Sequence, residues 1–342
     1  MGIKVRNEKI DIVRGFAILL VVMGHTLSSI AGATDTFFYN VIFAVQMPLF
    51  MIISGYVTIY SKPITSIGGF WTRIKKRTIS LLLPWLVWTL IKYCVFSWGQ
   101  PFGQYMLYIF EHMDTGYWFL FSLWTIDLIV SFSSFLSNIG KQKSLNKYLH
   151  IVIQFAYIGV MFVALAVLGY KVGMNVLAIK YSLYYMPFFC LGYLFGMLYS
   201  DVANFKWFDI TSTVISAISL IAFGLLCVNF NVQQMEDNLL NTSIRIVMSL
   251  LGCGVIFWVF HNVKCAGKAW SVIKYFGVHS LELYVIHYFF LLTINTEDIV
   301  INSLQGVITF ILNYALCLIS STALIYIINL NFISRRILLG KK

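Results

Sequence analysis

Three ionisable residues, Asp11, Arg14 and His25, stand in a stretch, IDIVRGFAILLVVMGHTLSSI, that is otherwise apolar. On a helix, Arg14 and His25 fall within about 20° of each other, and Asp11 lies about 40–60° away on the same stripe. The stretch is long enough to cross a bilayer, where an ionisable group costs about 2.5–3.5 kcal/mol on insertion scales. Three such groups on one face point to a polar interior or a hydrated cavity. An imidazole there suits general acid–base or nucleophilic chemistry, because its ordinary pKa lies near working pH. The plainer reading pairs Asp11 with Arg14 at the inner interface and leaves His25 hydrogen-bonded between helices.

A second constellation lies in KYFGVHSLELYVIHYFFLL. His287 comes about 20 Å along this span, a depth similar to that of His25, and two histidines at matched depth on different helices can meet. Glu282 falls mid-membrane, and Ser280, Tyr284 and His287 share a face. The competing reading makes Glu282 half of a structural ion pair and His287 a packing residue. A third feature is FWTRIKKRTISLLLPW, where Arg73 and Arg77 are four apart on one helix face with Lys75 and Lys76 beside them. Clustered guanidinium groups suit phosphate oxygens, as a nucleotide-bearing donor such as coenzyme A would require; a juxtamembrane patch facing anionic lipid is the alternative. Asp127, in the middle of a fourth apolar span, needs a partner or water. Pro48 with Ser54-Gly55 could open or kink a helix, and Tyr117 and Trp118 read as interface aromatics.

The elements that must position these residues follow from composition. The chain is 60% hydrophobic and only 11% charged, where a soluble domain carries about a quarter charged residues. The expectation is an all-α, polytopic integral membrane bundle of about ten helices, with spans near 10–31, 37–60, 78–97, 117–136, 149–169, 182–199, 208–229, 243–262, 272–294 and 304–331. With both termini cytoplasmic, the inner segments collect all of the 24 basic residues except Lys92, Lys171, Lys180 and Arg245. The inner set includes Lys4, Arg6, Lys141, Lys143, Lys206 and Lys342. The outer loops collect Asp35, Glu111, Asp114, Glu236, Asp237, Glu297 and Asp298. This asymmetry is that of the positive-inside rule, so topology accounts for the net charge of +11 and no nucleic acid is required. A cleaved signal peptide is the competing reading of the N-terminus, but Arg14 interrupts what should be an uncharged core. The six cysteines form no CxxC or Cys/His cluster, so neither a disulfide framework nor a metal site is indicated. The loops are short and the chain reads as one domain over 1–342; without an internal repeat, a transporter reading is weakened.

Taken in order, these stretches resemble the membrane acyltransferase-3 family, and within it the fucose 4-O-acetylase-like branch that modifies sugars. The resemblance rests on Asp11-x-x-Arg14-Gly15-x-Ala17 with Val21-Val22-x-Gly24-His25, then Met47-Pro48-Leu49-Phe50 with Ile53-Ser54-Gly55-Tyr56. It continues through Lys75-Lys76-Arg77 with Leu82-Leu83-Pro84, Trp118-Phe119-Leu120, and His279-Ser280-Leu281-Glu282-Leu283-Tyr284-x-x-His287. It implies transfer of an acyl group, usually acetyl from acetyl-coenzyme A, to a hydroxyl of a cell-envelope glycan or lipid-linked sugar at the bacterial cytoplasmic membrane. It implies that His25 is catalytic and Arg14 essential to the same site; beyond the resemblance, the expected mechanism has His287 or Glu282 helping His25, and Arg14 stabilising charge on the donor or holding Asp11 in place. Arg73, Lys76 and Arg77 would engage the donor, although many members carry Arg-x-x-Arg where this chain has Arg73, Lys76 and Arg77. The rival class is a transporter or flippase moving a polar solute or lipid-linked sugar past the same charges.

Overall fold

The computed structural model describes residues 7–113, 116–139, 146–203, 208–292 and 300–341. Of the charges placed in loops above, Lys4, Arg6, Asp114, Lys141, Lys143, Lys206, Glu297, Asp298 and Lys342 lie outside the described residues, as do positions 293 and 294 of the expected ninth span. Among the described residues every regular element is helical, and the only strand-like pairing is an isolated bridge between Ala31 and Val300. The protein is an all-α polytopic membrane protein. Among the described residues, eight helical stretches, one of them the continuous path Ile67–Phe96, are long and apolar enough to cross a membrane, by length and composition.

The helices are α1 (Glu8–Ser28), α2 (Phe37–Thr58), α3 (Ile67–Arg77), α4 (Leu83–Phe96), α5 (Phe102–Glu111), α6 (Trp118–Ile139), α7 (Lys147–Val172), α8 (Ile179–Ala203), α9 (Phe208–Asn229), α10 (Leu239–Asn262), α11 (Lys268–Val278), α12 (Ser280–Ile286), α13 (Leu304–Leu330) and α14 (Phe332–Leu339). Two of the ten expected spans are not among the eight. The sixth corresponds to α8, whose tyrosines, Pro187 and Gly192 dilute its apolar character. The ninth is broken: α11 ends at Val278, α12 runs only to Ile286, and a 3₁₀ turn covers His287–Phe289. The break falls at His279, whose ψ of 21° leaves the helical region. Its imidazole bonds the Glu282 carboxylate three residues on, at 2.9 Å, which anchors the first turn of a new helix much as a capping pair does.

The third span also differs from expectation. Residues 61–77 read as a polar connection, yet helix starts at Ile67 and runs to Phe96 as a 30-residue path. One π-helical turn, Thr78–Leu82, joins α3 to α4. The basic run is therefore helical.

The chain forms two compact units. The first gathers Met1–Tyr56 with Leu191–Ile327, the second Val57–Cys190 with Ile328–Lys342. In the first unit α1 begins with Asn7, whose side chain accepts from Lys9 N, and Glu8 and Asp11 lie in its first turn, where the helix dipole favours negative charge. It then crosses α11 at two glycines. A Cβ on Gly15 would lie 1.8 Å from Ile273 O, and one on Gly277 would lie 1.7 Å from Asp11 O. The two backbones touch, which is how helices associate where water supplies no hydrophobic drive.

In the same unit α2 runs unbroken through Pro48. The ring lacks an N–H, so the carbonyl four residues back loses its helical donor. That carbonyl belongs to Ala44, and Ser249 Oγ of α10 donates to it at 2.7 Å. Gly252, one turn along α10, lets Val45 and Phe223 pack in close. Pro48 thus leaves α2 helical and creates a hydrogen-bond socket for α10.

Candidate active site

In the first unit the break after α11 carries the chain past α1. His25, half-buried on the last turns of α1, meets the ring of His287 with centroids 5.2 Å apart. Tyr288, the next residue, reaches the same histidine: its hydroxyl lies 2.9 Å from His25 Nε2, and the ring centroids are 4.8 Å apart. Consecutive side chains of a helix point about 100° apart; the 3₁₀ turn at 287–289 is where both come to face one imidazole.

Helix α13 holds that turn from behind. Cys317 Sγ donates to His287 O at 3.5 Å, and Asn313 brackets Leu292, accepting from its N–H and donating to its carbonyl. Asn313 Nδ2 also bonds Ser29 Oγ at the end of α1, while Tyr314 Oη bonds Leu19 O within it. One helix therefore registers both the His25 side and the His287–Tyr288 side.

His287 is fully buried. Its Nδ1 lies 2.9 Å from Leu283 O; a carbonyl can only accept, so Nδ1 carries a proton, and in the neutral ring Nε2 is then the lone pair. That Nε2 finds no hydrogen-bond partner among the described residues. The same holds for Oε1 of Gln46, a buried residue of α2 whose side chain rests against Gly24, next to His25. A buried acceptor left bare costs about 1–3 kcal/mol, and two of them beside one imidazole call for a partner such as a water or a substrate group.

The other residues of this set divide. Asp11 is buried and Arg14 half-buried on α1. They flank the Gly15–Gly277 crossing, and helix rise alone sets them about 16–21 Å along α1 from His25. Glu282 is fully buried and bonds His279, the residue at the helix break, with Tyr275 packed on the His279 ring at 4.5 Å. His25 and His287 come together; the remainder form a second polar group around the α1–α11 crossing.

The second unit holds the basic residues. Arg73 and Arg77 lie one turn apart on α3, and both place Nη2 2.9 Å from the same oxygen, Oδ1 of Asp127 on α6. Arg73 Nε also bonds Ser131 Oγ at 2.7 Å. Asp127 is fully buried, and Arg73 and Arg77 keep 14% and 31% of their side chains exposed. Two cations on one carboxylate leave a net positive charge with guanidinium donors still facing outward. Lys75 and Lys76 point away, exposed. In this unit Trp118 lies nearly flat on Tyr181 and Tyr185, with centroids at 4.4 and 5.2 Å.

Sequence reasoning missed Tyr288, Asn313 and Cys317 as supports of the histidine pair. Tyr288 sits in the run HYFF, which reads as interfacial aromatics, and only its place next to His287 could have flagged it. Asp127 was legible as a carboxylate in want of a partner, not as the partner of Arg73 and Arg77. Among the described residues no group of three or more histidine, cysteine or acidic side chains is placed to hold a metal ion.

Residues 7–330 match a family model described as an acyltransferase domain, of the acyltransferase-3 type. Two curated relatives are both called nodulation protein NolL. The chain is 28% identical over 212 residues to the one from Sinorhizobium fredii (strain NBRC 101917 / NGR234), covering 59% of this chain and 52% of the relative. It is 26% identical over 239 residues to the one from Mesorhizobium japonicum (strain LMG 29417 / CECT 9101 / MAFF 303099), covering 65% and 58%. The chain thus spans little more than half the length of these relatives. No solved structure matches it.

Proposed function

This chain belongs to the acyltransferase-3 family, and we propose that it moves an acyl group, acetyl in the simplest case, from acyl-coenzyme A to a hydroxyl of a cell-envelope polysaccharide or lipid-linked sugar. The whole of 1–342 acts as one acyltransferase domain in a bacterial cytoplasmic membrane. The observation that carries the reading is the half-buried His25 in ring contact with His287, a buried imidazole whose Nε2 has no hydrogen-bond partner among the described residues.

His25 takes the proton of the attacking alcohol, or receives the acyl group first and passes it on. His287 gives that imidazole a fixed, water-poor wall, where charge stabilisation acts at low dielectric. Arg73 and Arg77, preset by Asp127, meet the phosphates of the donor, and Lys76 adds charge at the surface. Asp11 and Arg14 bind and orient a polar part of a substrate at the α1–α11 crossing, and the Glu282–His279 pair holds the helix break that lines it.

The test is purified protein in liposomes with radiolabelled acetyl-coenzyme A and an envelope glycan or lipid-linked sugar. Covalent label on the sugar is expected. Exchanging His25→Ala should abolish it while the protein stays inserted and binds donor; retained transfer would remove His25 from its role. Solute flux without covalent labelling would make the protein a carrier instead.

A further inference from the structure

Tyr288 is the described side chain that hydrogen-bonds His25, at Nε2 and 2.9 Å, and no part of the acid–base scheme above uses it. Its position is held on both sides. His287 O receives the Cys317 thiol on one flank, and Leu292 is bracketed by Asn313 on the other. Tyr288 keeps part of its surface accessible, as His25 does, whereas His287 is sealed. Of the three rings, the phenol and the first imidazole are the ones a substrate can reach.

The direction of the bond follows from acidity. A phenol is a stronger acid than a neutral imidazole N–H, and the imidazole nitrogen lone pair is a stronger base than a phenol oxygen. Tyr288 therefore donates and His25 Nε2 accepts, leaving the His25 proton on Nδ1. The basic lone pair of His25 is then already occupied, and an alcohol meets the phenol oxygen before it meets the nitrogen.

We propose that Tyr288 is a proton relay between the acceptor alcohol and His25, a role that rests on the acyltransferase reading. As the alcohol oxygen forms its bond to the thioester carbonyl carbon, its proton moves to Tyr288 Oη and the phenolic proton moves to His25 Nε2. Tyr288 is then a neutral phenol again, carrying the alcohol's proton, and when the C–S bond breaks the proton on Nε2 passes to the leaving coenzyme A thiolate. The ester and the free thiol account for every atom, and no oxidant or reductant enters. With Nε2 engaged in this way, the acyl group passes directly to the alcohol and an acyl-histidine is bypassed.

Tyr288→Phe removes one oxygen and keeps the ring. The relay predicts a fall in kcat of about 10²–10⁴-fold, the range of a general acid–base contribution, with KM for both substrates within about threefold. A proton inventory in mixed H₂O and D₂O should be curved for the wild type and linear for Tyr288→Phe, because one proton in flight has been lost. Installing 3-fluorotyrosine at 288, a phenol of nearly the same shape that keeps the hydroxyl, should restore transfer and the curved inventory. A Tyr288→Phe enzyme within about threefold of wild-type kcat, or one whose proton inventory is as curved as the wild type's, overturns the relay and leaves the acyltransferase reading standing. A wild type that transfers no acyl group overturns that reading, and the relay with it.

Discussion

Two guanidinium groups share one oxygen of Asp127, and this sharing ranks the substitutions around it. Asp127→Ala leaves two partly buried cations facing each other unpaired, and breaking a buried pair from one side costs about 3–5 kcal/mol. Arg77→Ala removes a cation that is 31% exposed and leaves Arg73 on Asp127, so its cost should be about 1 kcal/mol or less. Thermal unfolding in detergent should therefore show a large drop in midpoint for the first and a small one for the second. In transfer assays Arg77→Ala should instead raise KM for the donor with little change in kcat. Equal destabilisation by the two would contradict the shared clamp. Each of these residues was conspicuous in the sequence, because a charge in or beside an apolar span is costly wherever it sits. Their pairing was not, since Arg73 and Asp127 are 54 residues apart and no periodicity links them.

Among elements, the crossing of α1 and α11 depends on two missing side chains. Gly15→Ala or Gly277→Ala sets a methyl group within 2 Å of a carbonyl oxygen of the facing helix, so the helices must separate. Gly254, on α10, has open space around its Cβ position, and Ala there should be neutral or stabilising by up to about 1 kcal/mol through helix propensity. The expected order of detergent stability is Gly254→Ala at or above wild type, with Gly15→Ala well below it. A Gly15→Ala protein as stable as wild type would show that the backbones do not touch. Most long helices were legible from hydropathy alone. The ninth span was not, because its break depends on one dihedral at His279 and one side-chain bond to Glu282, and neither interrupts the apolar run. At 67–77 the spacing puts Arg73 and Arg77 on one helix face, yet the charges of 61–77 read as a polar connection; a carboxylate on another helix takes up the inward side of both arginines.

At the scale of the whole molecule, charge asymmetry sets an expected topology with both ends of the chain on the cytoplasmic side. A fluorescent-protein fusion at either end should fluoresce, and an alkaline phosphatase fusion in 230–238 should be active. Phosphatase activity at the N-terminus would reverse every depth argument made for His25. The two compact units are both discontinuous, each returning to the chain after more than a hundred residues, and a single run of hydropathy carries no sign of that. The sequence alone determined the membrane class, the helical architecture and the short roster of residues too costly to be there without a reason. Those are properties of a residue within its own segment, and local chemistry decides them. Only the tertiary structure decided that His25 meets His287 and Tyr288 across more than 260 positions, and that Cys317 and Asn313 hold the turn between them. Contacts of that span exist once the helices have packed, when a break at one histidine and a glycine at one crossing determine which side chains share a space.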